Sequence, residues 1–171
     1  MKSLLLLFSL INSSQCCLAQ IDSTQLFEKS KGKWSLPLPK YLKIFDNQIL
    51  KRSTANMFDS TLRIITDSAY QVKAVYEGRI IAIIEVEHEY SIVTKFGDYF
   101  LAYSNLTKPN LKQGELVRTG QTLGRLVKHR AERTYTLEII LSKGEEQLSA
   151  EKWIDWKAAY KMNCVKTKEK T

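Results

Sequence analysis

Histidine, a frequent zinc ligand, is scarce in this sequence of 171 residues, which contains only two of them. Zinc hydrolase sites usually draw on several histidines that the fold brings together. His88 lies among glutamates in the segment EVEHE, and His129 lies between Lys128 and Arg130. Positive neighbours repel a metal cation. The histidines therefore predict no zinc site.

The sequence also lacks the motifs of enzymes that use a catalytic nucleophile or bind a nucleotide. Cys16 and Cys17 lie in an N-terminal segment that has the pattern of an export signal, and Cys164 stands alone in a lysine-rich tail. No disulfide framework is therefore expected. The sequence contains no G-x-S-x-G elbow, no phosphate-binding loop and no dinucleotide-binding glycine fingerprint. These patterns argue against the common serine hydrolases and nucleotide-binding enzymes.

The elements that would position any site are mostly strands. Alternating or short apolar segments rich in β-branched residues predict strands at residues 62–66, 71–75, 79–87, 90–96, 99–103, 116–117, 123–127 and 135–141. Gly97 and Asp98 predict a hairpin turn. Helices are predicted at 23–30 and at 149–162, the second capped by Ser149. The expected fold is all-β, mainly antiparallel, with a C-terminal helix.

Several motifs follow one another in a fixed order along these strands. They are VKAVYEGRI (72–80), YFLAYSNL (99–106), VRTGQTLG (117–124), YTLEI (135–139) and KWI (152–154). Their order and spacing resemble the β-sheet core of the LytM/lysostaphin-type zinc metallopeptidases, which cleave peptidoglycan cross-links. The resemblance covers residues 56–156 and implies that family's sheet with its duplicated hybrid motif. Lipoyl and biotinyl carrier folds share the glycine pattern, but the lysine that they modify is missing here.

Carried onto this sequence, the catalytic motifs of the family fall on residues that do not bind zinc. The resemblance places Ser60 and Ile64 at the His-x-x-x-Asp motif, Asn105 at the catalytic histidine of Tyr-x-His-Leu, and Thr134 and Thr136 at His-x-His. The three zinc-ligand positions among them, Ser60, Ile64 and Thr136, supply two hydroxyls and a hydrocarbon, which cannot hold a zinc ion or activate its water. The resemblance thus implies a pseudoenzyme without a cofactor, whose vestigial groove carries these five residues.

Positively charged side chains near this groove are candidates for binding a partner. A guanidinium group can bind a carboxylate through two hydrogen bonds. Each arginine could equally serve solubility, and the tyrosine could serve packing. The candidate partner-binding residues are Tyr103, Arg63, Arg79, Arg118, Arg125, Arg130 and Arg133.

The N-terminus has the pattern of a cleaved secretory signal. Lys2 precedes an apolar run at 4–11, and small residues lead to a cleavage site before Gln20. The run is too short to span a bilayer, although a buried helix or a membrane anchor is the alternative. We therefore expect an exported periplasmic or cell-surface protein with four segments. They are a signal peptide (1–19), a lead-in (20–55), a degenerate LytM-type domain (56–160) and a basic tail (161–171).

Charge points to an anionic partner. The 26 Lys and Arg residues exceed the 18 Asp and Glu residues and give a net charge of +8, which favours attraction to an anionic polymer or an acidic protein. No nucleic-acid-binding motif is evident, so the cell wall is the expected partner of an exported chain.

The lead-in extends the resemblance to one branch of the family. Its segment GKWSLP (32–37) is similar to the entry of the degenerate LytM domains of EnvC-type murein hydrolase activators. The resemblance implies a noncatalytic regulator that activates a cell-wall amidase. The alternatives are a module that binds peptidoglycan directly and, more remotely, an active peptidoglycan metalloendopeptidase.

Overall fold

The computed structural model describes residues 23–46, 60–128 and 133–167. The predicted signal peptide, His129 and Arg130 lie outside the described residues. The helices are α1 (Ser23–Glu28), a 3-10 helix (Ala150–Trp153) and α2 (Trp156–Thr167). The strands are β1 (Lys43–Asp46), β2 (Leu62–Thr66), β3 (Gln71–Lys73), β4 (Gly78–Val86), β5 (Glu89–Phe96), β6 (Tyr99–Leu106), β7 (Leu116–Val117), β8 (Thr122–Arg125), β9 (Tyr135–Lys143) and β10 (Glu146–Leu148).

Eight of these strands form one large antiparallel sheet. Its order is β1-β2-β9-β6-β5-β4-β7, and β10 also pairs with β9, while β3 and β8 form a separate two-stranded sheet. This architecture confirms the predicted all-β, mainly antiparallel fold with a C-terminal helix. The predicted Gly97 and Asp98 turn also joins β5 to β6 as expected. None of the helices in the described ranges is long and apolar enough to cross a membrane.

One face of the large sheet is directed at the core. In β2 the even-numbered residues are buried, whereas Arg63 and Ile65 are half-buried on the opposite side. β9 shows the same alternation, with Leu137, Ile139 and Leu141 buried. Because side chains alternate along a strand, the inward apolar residues pack in one cluster with those of the small sheet. We call the opposite side of the large sheet the outer face.

The segment before β1 packs into the same core. Phe27 is fully buried, and Trp34 and Leu38 are 3% and 2% exposed. The ring of Phe27 stacks on that of Tyr99, with the ring centroids 3.9 Å apart. Much of the predicted lead-in therefore contributes to the hydrophobic core rather than preceding it.

The C-terminal helical region is interrupted, so the prediction of one helix capped by Ser149 is wrong. Ser149 makes no side-chain cap hydrogen bond, and the 3-10 helix ends at the extended residue Ile154. Ile154 forms a parallel bridge with Trp34, whose carbonyl accepts a hydrogen bond from the Asp155 N–H. This pairing requires extended backbone. The Asp155 carboxylate then accepts from the Ala158 N–H at 3.1 Å and caps α2.

The turn between β4 and β5 places two residues in a left-handed conformation. Val86 pairs with Glu89, and the intervening Glu87 and His88 have φ angles of 50° and 69°. Two-residue hairpin turns of this kind favour Asn-Gly, because a side chain disfavours positive φ. The turn therefore holds local strain that glycine would relieve.

Replacing His88 by glycine is expected to raise the free energy of unfolding by about 0.5–1 kcal/mol. The imidazole contributes little, because it is 90% exposed and 3.6 Å from Glu85. Urea denaturation measures the change. The control is Glu85→Gly, at an exposed position within the strand, which should instead lower stability by a similar amount. Destabilisation by His88→Gly would contradict the turn geometry.

Candidate functional site

The outer face of the large sheet carries a row of polar side chains. Strand pairing places Arg63 of β2 opposite Glu138 of β9, and Glu138 opposite Ser104 of β6. The Arg63 Nε donates to the Glu138 Oε1 at 2.7 Å. The Ser91 Oγ of β5 donates to the Ser104 Oγ at 2.9 Å. Four adjacent strands thus present polar groups in one line.

The Arg63–Glu138 ion pair is the strongest electrostatic contact of this row. The two side chains are 35% and 30% exposed, so water screens their attraction only in part. Sequence reasoning proposed Arg63 as a partner contact but did not select Glu138, Ser104 or Ser91. The alternation in YTLEI already directs Glu138 away from the core. Its pairing with Arg63, however, depends on the register between two strands that are distant in sequence.

A double-mutant cycle with Arg63→Met and Glu138→Gln is expected to give a coupling energy of about 1 kcal/mol. Urea denaturation of the four proteins measures it. The matched control is the ion pair between Lys40 and Asp67, where the atoms are 3.4 Å apart and the side chains are 38% and 44% exposed. That pair should couple less strongly, because it is longer and more solvated. Equal coupling in both cycles would contradict the assigned role of the outer-face pair.

Asn105 has a structural role at the end of this face. Its φ of 65° is left-handed, and the register between β5 and β6 shifts beside it, which marks a β-bulge. The Asn105 Nδ2 donates to the Thr136 carbonyl at 3.0 Å, and its own carbonyl accepts from the Val127 N–H at 2.9 Å. Asparagine tolerates this conformation better than most residues. The structure therefore brings together two predicted groove positions, Asn105 and Thr136.

Of the two threonines in the His-x-His position, Thr134 immediately precedes β9 and Thr136 lies on it. Both are partly exposed. Thr136 pairs with Ile65 of β2, and both face outward because their neighbours are buried. The outer face at this point is thus formed by a hydroxyl and a hydrocarbon.

Ser60 and Ile64 do not join this group. Ile64 is fully buried and Ser60 is 8% exposed. Ile64 pairs with Leu137 and points into the core, whereas Thr136 lies on the outer face. The predicted assignment of Ile64 to the groove is therefore wrong. The β2 residues that share the outer face with Thr136 are Arg63 and Ile65. A shift of one residue in aligning the motif with β2 moves the assigned side chain to the other face of the sheet.

Tyr103 is a core residue and not an exposed contact. It is fully buried, and the Val75 N–H donates to its hydroxyl oxygen at 3.1 Å. Burial raises the pKa of Tyr103 well above its ordinary value. A partner cannot reach this ring in the folded domain, so we correct its assignment as a partner-binding residue.

The other candidate arginines in the described ranges do not form one patch. The Arg79 Nη1 on β4 donates to the Gly114 carbonyl at 2.6 Å. Arg125 is exposed on the small sheet, and Arg118 and Arg133 are exposed in loops. Four strand spacings separate Arg79 from Arg63, about 19 Å across the sheet. These side chains spread positive charge over several surfaces instead of concentrating it in the groove.

Solved structures with a similar fold place this sheet among known architectures. The structure is similar to Csd3 of Helicobacter pylori (14% identity, TM-score 0.57, 80% of this chain and 41% of that chain). It is also similar to a putative M23 peptidase of Pseudomonas aeruginosa (16% identity, TM-score 0.56, 77% and 60%). The fold is that of the M23, or LytM-type, peptidases. A chain of the SpoIIQ–SpoIIIAH pore-forming complex is similar as well (11% identity, TM-score 0.53, 81% and 97%).

These likenesses show the M23-type fold and not an activity, because the sequence identities are low. The chain spans about two fifths of the length of the Csd3 structure. No protein-family model matches the sequence, and no curated protein matches it.

The donor set of the M23-type outer face does not fit zinc. Zinc prefers imidazole, thiolate or carboxylate ligands, whereas the residues around Thr136 on this face are Arg63, Ile65 and Asn105. The nearby Glu138 carboxylate is bound to the Arg63 guanidinium, whose charge opposes a cation. Among the described residues, no group of three His, Cys, Asp or Glu side chains converges on one point. His88 lies at the exposed tip of the β4–β5 hairpin.

Proposed function

We propose that this chain is a noncatalytic, exported cell-wall protein that regulates a peptidoglycan hydrolase through the outer face of its M23-type sheet. The observation that carries the proposal is the Arg63–Glu138 ion pair on a face whose neighbouring positions are Ile65 and Thr136. An M23 fold with this donor set keeps the surface that faced a cell-wall substrate but lacks the groups that activate water. Its use as a binding surface is the role that fits both features.

Small side chains on the outer face support docking of a protein partner. Ala102, Ser104 and Thr136 are partly exposed and lie on the two central strands β6 and β9. Short side chains leave the sheet surface accessible to a partner. Arg63 and Glu138 supply one charge of each sign at its side, and such pairs fix orientation more than affinity. The similar fold in the SpoIIQ–SpoIIIAH complex supports a role in assembly.

Direct binding to peptidoglycan is the second candidate. The net charge of +8 and the spread of exposed arginines favour attraction to an anionic polymer. An adsorbed wall protein would need no enzyme partner. Its affinity for sacculi would depend on its positive charge and would fall as the salt concentration increases.

The test measures dye release from labelled sacculi by a purified, autoinhibited cell-wall amidase, with and without this protein. We expect at least tenfold stimulation by the protein and no release by the protein alone. Binding to sacculi without stimulation of any amidase from the same cell would favour the wall-binding candidate. Zinc-dependent release by the protein alone would identify an active metalloendopeptidase and overturn the proposal.

Two matched threonine variants locate the active surface. Thr136→Arg places a bulky cation on the outer face and is expected to abolish stimulation. Thr122→Arg makes the same change at an exposed position of the small sheet and should leave stimulation intact. Both proteins should keep a free energy of unfolding within about 1 kcal/mol of the parent in urea denaturation, because surface substitutions change stability little. Stimulation that survives Thr136→Arg would exclude the outer face as the docking site.

A further inference from the structure

One edge of the large sheet is open along β4. β7 pairs only with Gly78 and Arg79, and the backbone of Ile80 is hydrogen-bonded to Gly114 and Glu115. Beyond a register shift between Ile80 and Ala82, β4 pairs with β5 alone in the described part of the chain. An unpaired edge presents N–H and C=O groups to which another strand can add.

Exposed apolar side chains follow this edge. Ile84 is 48% exposed and Val86 63% exposed on β4, and Leu116 of β7 is 67% exposed. Ile83 packs against the core, so the adjacent Ile84 faces outward, as does Val86 two residues further. Leu116 also faces outward, because its neighbour Val117 is buried. Three large apolar side chains thus lie at one edge of the outer face.

Negative charge is concentrated at the same edge. Glu85, Glu87 and Glu89 lie within five residues, and no lysine or arginine occurs from Ile80 to Thr94. This contrasts with the net charge of +8 of the whole chain. A second copy offers no lysine or arginine to these glutamates along residues 80–94, because its own edge has the same sequence. The glutamates favour a strand that carries lysine or arginine.

We propose that the open edge of β4, residues 82–86, binds an extended segment of a basic partner protein. The segment adds as a strand in line with β7 and antiparallel to β4. Its main chain pairs with the free groups of β4, and its apolar side chains pack on Ile84, Val86 and Leu116. Its lysine or arginine side chains face the glutamates of the hairpin tip. This surface is separate from the outer-face residues proposed to regulate a hydrolase.

The probe is a nine-residue peptide of alternating lysine and valine with blocked termini and a fluorescent label, titrated into the purified protein. We expect the lysine–valine peptide to bind at least tenfold more tightly than a matched glutamate–valine peptide. Its affinity should fall as the salt concentration increases. Hydrogen exchange should slow at the amides of residues 81–86, because strand addition engages the main chain. Protection confined to other strands, or equal affinity for both peptides, would overturn the proposal.

Two variants that exchange exposed apolar residues for lysine complete the test. Ile84→Lys is expected to weaken binding of the lysine peptide at least tenfold, since it adds a like charge at the edge. Leu26→Lys, at a residue of α1 that is 42% exposed, should leave binding unchanged. If Ile84→Lys lowers the urea midpoint of the protein, Val86→Lys, which lies nearer the hairpin tip, serves as the edge variant instead. Unchanged affinity in the edge variant, or a protein dimer that the edge variant dissociates, would overturn the basic-partner proposal.

Discussion

Replacing Phe27 by alanine is expected to lower the free energy of unfolding by about 3–5 kcal/mol. The side chain is fully buried, and its ring stacks on Tyr99 and meets Tyr76 edge-on with the centroids 4.8 Å apart. Removing it leaves a cavity among aromatic rings that cannot collapse into it without losing their own contacts. Urea denaturation followed by tryptophan fluorescence measures the loss.

The control for this prediction is the adjacent residue on the same short helix. Leu26 is 42% exposed, and Leu26→Ala should change stability by less than about 1 kcal/mol. A difference between the two variants separates loss of core packing from loss of helix propensity. A Phe27→Ala protein as stable as Leu26→Ala would mean that residues 23–38 are not part of the domain core.

Replacing Ile64 by aspartate is expected to destabilise the domain by about 4 kcal/mol or more, whereas Ile65→Asp should cost about 1 kcal/mol. Ile64 is fully buried opposite Leu137, where a carboxylate would have no partner and little water. Ile65 is half-buried on the outer face and pairs with Lys43 and Thr136. The two substituted positions are adjacent in the sequence, but their side chains lie on opposite sides of the sheet.

The comparison of these two aspartates tests the register of β2 directly. Thermal or urea denaturation of both proteins in parallel gives the result, and circular dichroism verifies that Ile65→Asp retains the sheet. Equal destabilisation, or a larger loss for Ile65→Asp, would place the opposite set of side chains in the core. The assignment of Arg63 and Glu138 to the outer face would then fail with it.

The strands of this protein could be predicted because their signal is local. Alternation in LRIIT and YTLEI reflects a period of two residues that any half-buried strand requires. The Gly97 and Asp98 turn was visible because few residues other than glycine adopt a φ of 56°. The break in the C-terminal helical region was not visible locally. It arises because Ile154 pairs with Trp34, which is more than a hundred residues away in the chain.

The candidate site was predicted in part. The motifs place Asn105 and Thr134 at the catalytic histidines and Thr136 at a zinc ligand, because residue types and spacing can be read from the sequence; this assignment stays a prediction. The mistaken position of Ile64 followed from counting along a loop, since nothing local states which side of a strand a residue takes when its neighbours are also apolar. For Tyr103 the sequence left packing and partner contact open, because a tyrosine suits both a buried and an exposed position; its burial decides for packing.

The sequence by itself determined the local features of this protein: its strands, its Gly97–Asp98 turn, the order of its motifs and the scarcity of histidine. These depend on residue type and on short-range spacing. Only the tertiary structure decided which residues share a surface. The Arg63–Glu138 pair joins positions 75 residues apart, and the open edge of β4 exists because β7 contributes only two residues to it. Pairing between distant strands sets both features, and register is a property of the assembled sheet rather than of any one segment.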